Sequence, residues 1–129
     1  MRVALDTHIL FYWVASPDRL AAPQQHTIQA ITPGNPAIVA DICLWEIGMP
    51  AATGRNELSM PMRDWMARAV APPLVRLAEI TPNIASSVTE LCDWQNRDPA
   101  NRLIVATSQV YGLHFLQTTR QFVTRVWYA

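Results

Sequence analysis

The sequence has 129 residues, of which 50% are hydrophobic, and this is enough for one compact domain with its own core. Ten basic residues balance ten acidic ones, so no overall electric field points to nucleic acid, a membrane or an acidic partner. Any charged partner must meet a local patch. All ten basic residues are Arg, a bias that genome composition explains, although Arg also suits bidentate phosphate contacts.

The first predicted elements alternate between strand and helix. A short buried strand covers residues 3–5, and Asp6 and Thr7 form a turn or cap before a helix that reaches residue 13. Ser16 and Pro17 open a second helix that runs to about residue 31. The turn at Pro33–Pro36 ends that helix before a strand at residues 37–39.

The second half continues this alternation. A helical pattern at residues 42–53 contains Gly48 and Pro50, which predict a kink or break. Further elements follow at residues 61–71 (helix), 74–77 (strand), 82–92 (helix), 100–111 (helix), 114–117 (strand) and 126–128 (edge strand). Thr81-Pro82 and Asp98-Pro99 are helix start signals, and Gly112 is a stop signal.

Short apolar strands joined by helices predict a single α/β domain over residues 1–129, with a mainly parallel sheet covered on both faces. In such sheets, ligands bind outside the carboxyl ends of the strands. The apolar N-terminal run is interrupted by Asp6 and His8, so it fits neither a signal peptide nor a membrane span. Cys43 and Cys92 are too few for a disulfide framework, and we expect a reduced, cytoplasmic protein without a membrane partner.

Three carboxylates stand out by position. Asp6 follows the first strand, Glu46 lies in the apolar stretch Leu44-Trp45-Glu46-Ile47, and Asp98 precedes a helix. If the strand ends converge, these acids form an oxygen-rich pocket for a hard cation such as Mg²⁺. Each also has a structural interpretation: Asp6 and Asp98 as helix caps, and Glu46 as part of the exposed stripe of its helix.

Other sources of chemistry are weak in this sequence. The three His residues form no HxH or HxxxH pair, so a packing or surface role is favoured over zinc binding. The five Trp residues are scattered, as core or interface residues are. No Gly-rich loop for phosphate binding is present.

Three segments, in this order and spacing, together resemble the PIN-domain toxins of the VapC type: Leu5-Asp6-Thr7-His8-Ile9-Leu10, Leu44-Trp45-Glu46-Ile47 and Arg97-Asp98-Pro99-Ala100-Asn101-Arg102-Leu103-Ile104-Val105-Ala106-Thr107. The resemblance covers nearly the whole chain, including Gly54-Arg55-Asn56-Glu57-Leu58 and Thr81-Pro82. It implies an α/β/α sandwich with a mainly parallel sheet of about five strands. It also implies a homodimeric, Mg²⁺- or Mn²⁺-dependent endoribonuclease that cleaves RNA and is neutralised by a cognate antitoxin protein.

By this resemblance, the catalytic and metal-binding residues are Asp6, Glu46 and Asn101, with Asp98 beside them. The family normally has Asp where this chain has Asn101, and its fourth acid follows a strand, where this chain reads Thr118-Thr119-Arg120. Two of the four acidic positions are therefore not acidic. Further departures are Ala40, Cys43 and Pro50, while Asp41 adds an acid that the family pattern lacks.

These departures leave two functional hypotheses. The first is a VapC-like ribonuclease whose activity is attenuated, because replacing Asp by Asn keeps an oxygen ligand but removes a negative charge. The second is a catalytically degenerate PIN domain that binds an antitoxin or RNA without cleaving it.

Overall fold

The structure, a computed structural model, describes residues 2–49, 60–91, 98–117 and 122–123. The five strands are β1 (Val3–Leu5), β2 (Ala37–Ala40), β3 (Val75–Ala78), β4 (His114–Leu116) and β5 (Phe122–Val123). The six α-helices in these residues are α1 (Thr7–Ala15), α2 (Ala22–Gln29), α3 (Ile42–Ile47), α4 (Met62–Ala69), α5 (Pro82–Ser87) and α6 (Pro99–Tyr111). Short 3-10 turns lie at Pro17–Arg19 and Val88–Glu90.

The strands form one sheet in the order β3-β2-β1-β4-β5, in which the first four are parallel and β5 is antiparallel. All residues of β1 and β2 are buried, as expected for strands covered on both faces. The chain moves outwards from β1 to β3 and then returns to β4 on the other side of β1. Right-handed connections therefore place α1 to α4 on one face of the sheet and α5 and α6 on the other. The predicted α/β fold with about five strands is confirmed.

The core between these layers is made mainly of aliphatic and aromatic side chains. Phe11 of α1 packs against Trp65 of α4, with ring centroids 5.3 Å apart. On the other side, α6 packs against β1, β2 and β4 and also contacts α3. Trp45 is 60% exposed, so it belongs to the surface, whereas Trp65 is a core residue.

One predicted helix is wrong. The sequence favoured a single helix over residues 16–31, but the structure has a 3-10 turn at Pro17–Arg19 and a separate helix α2. The reason is Pro23, which lacks an amide donor and would clash inside a continuous helix, so it lies in the first turn of α2. The break also turns Leu20 into the core, where it is buried.

The other elements agree with the predictions to within a few residues. The αL residue that ends α6 is Gly112, with φ 65°, a conformation that favours glycine. The predicted edge strand at 126–128 and the segments 54–58 and 118–120 lie outside the described residues, as does Cys92. No helix in the described part of the chain is long and apolar enough to span a bilayer.

Candidate active site

The candidate site lies where the strand order reverses. Strand β1 has β2 on one side and β4 on the other; the chain leaves β1 towards β2, and the connection from β3 crosses back to β4 on the opposite side. Such a switch point opens a crevice at the carboxyl ends of the strands, where ligands bind in parallel sheets. Asp6 is the first residue beyond β1, and its amide donates to the carbonyl of Leu116, the last residue of β4, at 3.0 Å. Asp6 therefore stands in this crevice.

The carboxylate of Asp6 is fixed by the helix that follows it. Its Oδ1 accepts a hydrogen bond from the amide of Ile9 at 2.9 Å, which makes Asp6 the N-cap of α1. The positive end of the helix dipole favours the charged form of a carboxylate at this place. The side chain is buried, with 8% exposure. The capping interpretation is thus confirmed, and it leaves room for a second role.

Thr7 connects Asp6 to Glu46. Its hydroxyl donates a hydrogen bond to Oε1 of Glu46, between the first residue of α1 and the last turn of α3. Glu46 is half-buried, and helix α3 packs against both α1 and α6. Glu46 therefore does not belong to a solvent-facing stripe: α3 aims its carboxylate back towards the end of β1.

The pKa of the Cys43 thiol indicates which carboxylates lie close to it. The pKa of this thiol is raised from 9.0 to about 12, mainly by burial; a hydrogen bond with Thr7 opposes the rise, and the negative charges of Asp6, Glu46 and Asp41 contribute to it. Charges act on one thiol in this way only if they lie close to it. Asp6, Glu46 and Asp41 thus all lie near this buried thiol, and they make this end of the sheet negative.

Asp41 follows β2 and is attached to the next strand. Its amide donates to the carbonyl of Ala78 at 2.9 Å, and its Oδ2 accepts from the amide of Ile80 at 3.2 Å. Its Oδ1 is buried and has no hydrogen-bond partner in the described part of the chain. The second carboxylate of this sheet edge is therefore turned towards β3.

Helix α6 carries the remaining two candidates. Asp98 is its N-cap and accepts from the amide of Ala100 at 3.4 Å, but the residue is exposed. Asn101 is half-buried one turn later, on the same side of the helix as Asp98. Arg102 donates to the carbonyls of Val88 at 3.0 Å and Leu91 at 3.5 Å, which ties the start of α6 to the chain before it.

The described residues fit a hard divalent cation held by few protein ligands. No three His, Cys, Asp or Glu side chains within them meet closely enough to hold a metal ion, so Asp6, Glu46 and Asp98 do not form a closed cage. Mg²⁺ commonly binds one or two carboxylates and takes water and substrate phosphate for its other positions. The buried oxygens of Asp6 and the nearby carboxylate of Glu46 have the right chemistry for this mode, and Asn101 would add an amide oxygen.

Asp6 and Glu46, both predicted from the sequence, lie on either side of Thr7 at the end of β1. Sequence reasoning did not select Thr7, although Asp-Thr directly after a buried strand was a usable signal. It also did not select Gln24, whose Nε2 donates to the carbonyl of Gln117 just after β4, at 3.0 Å. The segment with Thr118, Thr119 and Arg120 lies outside the described residues.

Comparison with known proteins identifies the family. No family model matches the sequence. Ribonuclease VapC22 of Mycobacterium tuberculosis (strain ATCC 25618 / H37Rv) is 32% identical over 119 residues, covering 92% of this chain and 88% of that protein. The chain belongs to the VapC family. This identity over most of both chains confirms the PIN-domain resemblance noted in the sequence.

A solved structure agrees with this fold assignment. A chain in the crystal structure of VapBC2 from Rickettsia felis, bound to a DNA fragment from their promoter, superposes with a TM-score of 0.62. The match covers 89% of this chain and 86% of that chain, with 11% sequence identity. At this identity the likeness concerns the fold, which is the three-layer PIN-like arrangement expected for a VapC-family member.

Proposed function

We propose that this chain is a VapC-type toxin, a single PIN domain that cleaves RNA phosphodiester bonds with the help of a divalent metal ion. One observation carries the proposal: Asp6 and Glu46, joined through Thr7, lie at the switch point of the sheet in a chain of the VapC family. Two buried or half-buried carboxylates at this place are costly unless a cation compensates them.

Each candidate residue has a distinct role in this proposal. Asp6 and Glu46 supply the negative charge that attracts Mg²⁺ or Mn²⁺, and Thr7 holds Glu46 in position. Asp98 and Asn101 line the rim with oxygen atoms. When bound, the metal ion supplies Lewis acidity towards the scissile phosphate and an attacking water. Because Asn101 is neutral, cation binding is weaker than with a third carboxylate, and the activity is attenuated.

The proposed partners follow from the family. VapBC2 of Rickettsia felis is a toxin–antitoxin complex on its promoter DNA, and we extend the protein part of that association to this chain. A cognate antitoxin and a second copy of the chain are therefore the expected protein partners, with RNA as the substrate and the cytoplasm as the location.

The decisive experiment is cleavage of fluorescent RNA by purified protein with Mg²⁺, with Mn²⁺ and with EDTA, in the wild type and in Asp6→Asn. Asn caps a helix about as well as Asp, so this variant keeps the start of α1 and loses only the charge. We expect metal-dependent cleavage that Asp6→Asn abolishes. Asp64→Asn, an exposed acid at the start of α4, is the matched control and should cleave normally. Equal cleavage by wild type and Asp6→Asn would remove Asp6 from the mechanism.

Asn101 motivates a second candidate function, a PIN domain that binds its antitoxin or RNA without cleaving. This candidate predicts RNA or antitoxin binding by a wild-type protein that shows no metal-dependent cleavage. Gain of cleavage on restoring Asp at position 101 would then identify Asn101 as the cause.

A further inference from the structure

A second feature near the site is an arginine supported by an aromatic ring. The guanidinium carbon of Arg19 lies 4.5 Å from the centre of the Tyr12 ring, a distance typical of a cation–π contact. Tyr12 lies on the outer side of α1 and is half-buried, whereas Arg19 is exposed. The ring of His8, one helical turn before Tyr12, lies 6.0 Å from it.

The backbone holds Arg19 in this place. Pro17 begins the 3-10 turn, the amide of Arg19 donates to the carbonyl of Ser16 at 2.9 Å, and the amide of Leu20 donates to the carbonyl of Pro17 at 3.1 Å. Leu20 is buried in the core immediately after Arg19. A turn fixed on both sides, with a ring under the guanidinium, reduces the conformational entropy that Arg19 loses when it binds a ligand.

The charge of Arg19 is not neutralised within the described residues, where it makes no ion pair. A guanidinium held over a ring by its charge still has N–H donors to offer, and these suit the oxygens of a phosphate. Asp18, the adjacent acid, is also exposed and forms no bridge to it. An exposed, pre-positioned and unpaired Arg next to a ring is suited to an anionic ligand.

The distance along α1 from Asp6 to Tyr12, the residue that supports Arg19, suits an extended ligand. From Asp6 to Tyr12 the chain advances six residues along α1, which is about 9 Å at the rise of an α-helix. A stacked nucleic-acid strand advances about 3.4 Å per nucleotide, so about three nucleotides bridge this distance. The carboxylates of Asp6 and Glu46 repel RNA, and the cation in the turn that follows α1 offsets that repulsion.

We propose that Arg19, held on the Tyr12 ring, binds a backbone phosphate of the single-stranded RNA segment that flanks the cleavage position. This inference rests on the proposed function, because it takes RNA as the substrate of the Asp6 and Glu46 site. It assigns to the outer side of α1 the role of aligning the RNA strand before cleavage. This contact recognises the charge of the phosphate and is independent of base sequence.

The test is binding of a fluorescein-labelled single-stranded RNA of mixed sequence, in EDTA, over a range of salt concentrations. Arg19→Gln should weaken binding roughly tenfold at low salt, as expected for loss of one charge-assisted contact. It should also reduce the slope of log affinity against log salt by about 0.7, the value for one phosphate contact to a single strand. Tyr12→Leu should weaken binding less, and Tyr12→Phe, which keeps the ring, should behave as the wild type.

Arg76→Gln is the matched control, because Arg76 is an exposed arginine on β3, at the edge of the sheet. In cleavage assays, Arg19→Gln should raise KM and leave kcat unchanged. An affinity and salt slope equal to those of Arg76→Gln would overturn the inference. So would a loss of affinity for an antitoxin peptide with RNA binding unchanged, since the surface would then serve a protein partner.

The two proposals fail separately. If the wild type cleaves RNA and Arg19→Gln has an unchanged KM, the Arg19 inference is wrong and the nuclease proposal stands. If the wild type never cleaves RNA but binds it in an Arg19-dependent way, the nuclease proposal is wrong and the Arg19 contact stands.

Discussion

The hydroxyl of Thr7 donates to the carboxylate of Glu46, and this bond connects the start of α1 with the end of α3, 39 residues away. Thr7 is buried, with 3% exposure, so the packed core restricts the motion of its side chain. The orientation of Glu46 is therefore set by a residue next to Asp6, and the two carboxylates are positioned together.

Replacing Thr7 by Val should separate the two carboxylates without changing the volume of the core. Hydrogen bonds to charged groups contribute about 1.5–3 kcal/mol, so we expect metal-dependent RNA cleavage to fall about tenfold or more. Thr7→Ser keeps the hydroxyl and should retain most of the activity. The measurement is kcat/KM on a fluorescent RNA. Equal rates for Thr7→Val and Thr7→Ser would show that the bond to Glu46 plays no part in positioning.

Replacing Asn101 by Asp should strengthen cation binding if Asn101 lines the site as proposed, because the change adds a negative charge on α6. We expect a lower dissociation constant for Mn²⁺ and Mg²⁺ by calorimetry and faster RNA cleavage. Asn83→Asp places the same charge on exposed α5 and is the control. If both variants change metal affinity equally, the gain comes from net charge alone and Asn101 is not at the metal site.

Replacing Gln24 by Met should destabilise the fold more than the same change at Gln25. Gln24 is buried; its Oε1 accepts from the amide of Ala21 at 2.8 Å, and its Nε2 donates to the carbonyl of Gln117 at 3.0 Å. Loss of both leaves buried polar groups unsatisfied, at a cost of about 1–3 kcal/mol. Gln25 is exposed and donates to the carbonyl of Leu20, so its loss should cost less. Urea unfolding measures both values, and equal costs would contradict this account.

Stability should fall with rising pH because of Cys43. The thiol pKa is about 12 in the folded chain and 9.0 without burial, so the unfolded state releases this proton first as the pH rises. Between pH 9 and pH 12 the free energy of unfolding therefore falls by up to about 1.4 kcal/mol per pH unit. Below pH 9 the thiol is protonated in both states and does not change the stability.

The check is urea unfolding of wild type and Cys43→Ala at several pH values from 8 to 11. The variant removes the titrating group, so the difference in stability between the two proteins should shrink as the pH rises. A constant difference would mean that the thiol ionises equally in the folded and unfolded chains.

Much of the fold was predictable because its signals are local. Asp6 marks the border between β1 and α1, and Asp98-Pro99 and Gly112 mark both ends of α6. The two-residue strand β5 was not predicted, because its pairing with β4 is a tertiary contact with no sequence pattern of its own. The break before α2 was missed for a related reason: Pro17 was interpreted as the start of one long helix, and only the burial of Leu20 shows that the chain turns before α2.

For the candidate site, too, residues with local signals were predictable and tertiary contacts were not. Asp6 and Glu46 were recognisable because a carboxylate after a strand and a carboxylate in an apolar helix are both unusual. The Asp-Thr pair after β1 was a usable signal for Thr7, but its bond to Glu46 was not predictable, because that bond depends on how α3 packs against α1. The support of Arg19 by Tyr12 depends on the turn at Pro17, which local propensity had assigned to a longer helix.

The bond between the amide of Asp6 and the carbonyl of Leu116 joins a strand that the ribosome makes early to one that it makes late. Pairings between distant segments form only after the second segment has been synthesised, and they are slow to form. A nascent chain that stops before β4 has Asp6 but lacks one wall of the crevice beside it. In a VapC-family chain, the proposed site is therefore incomplete until β4 has been synthesised.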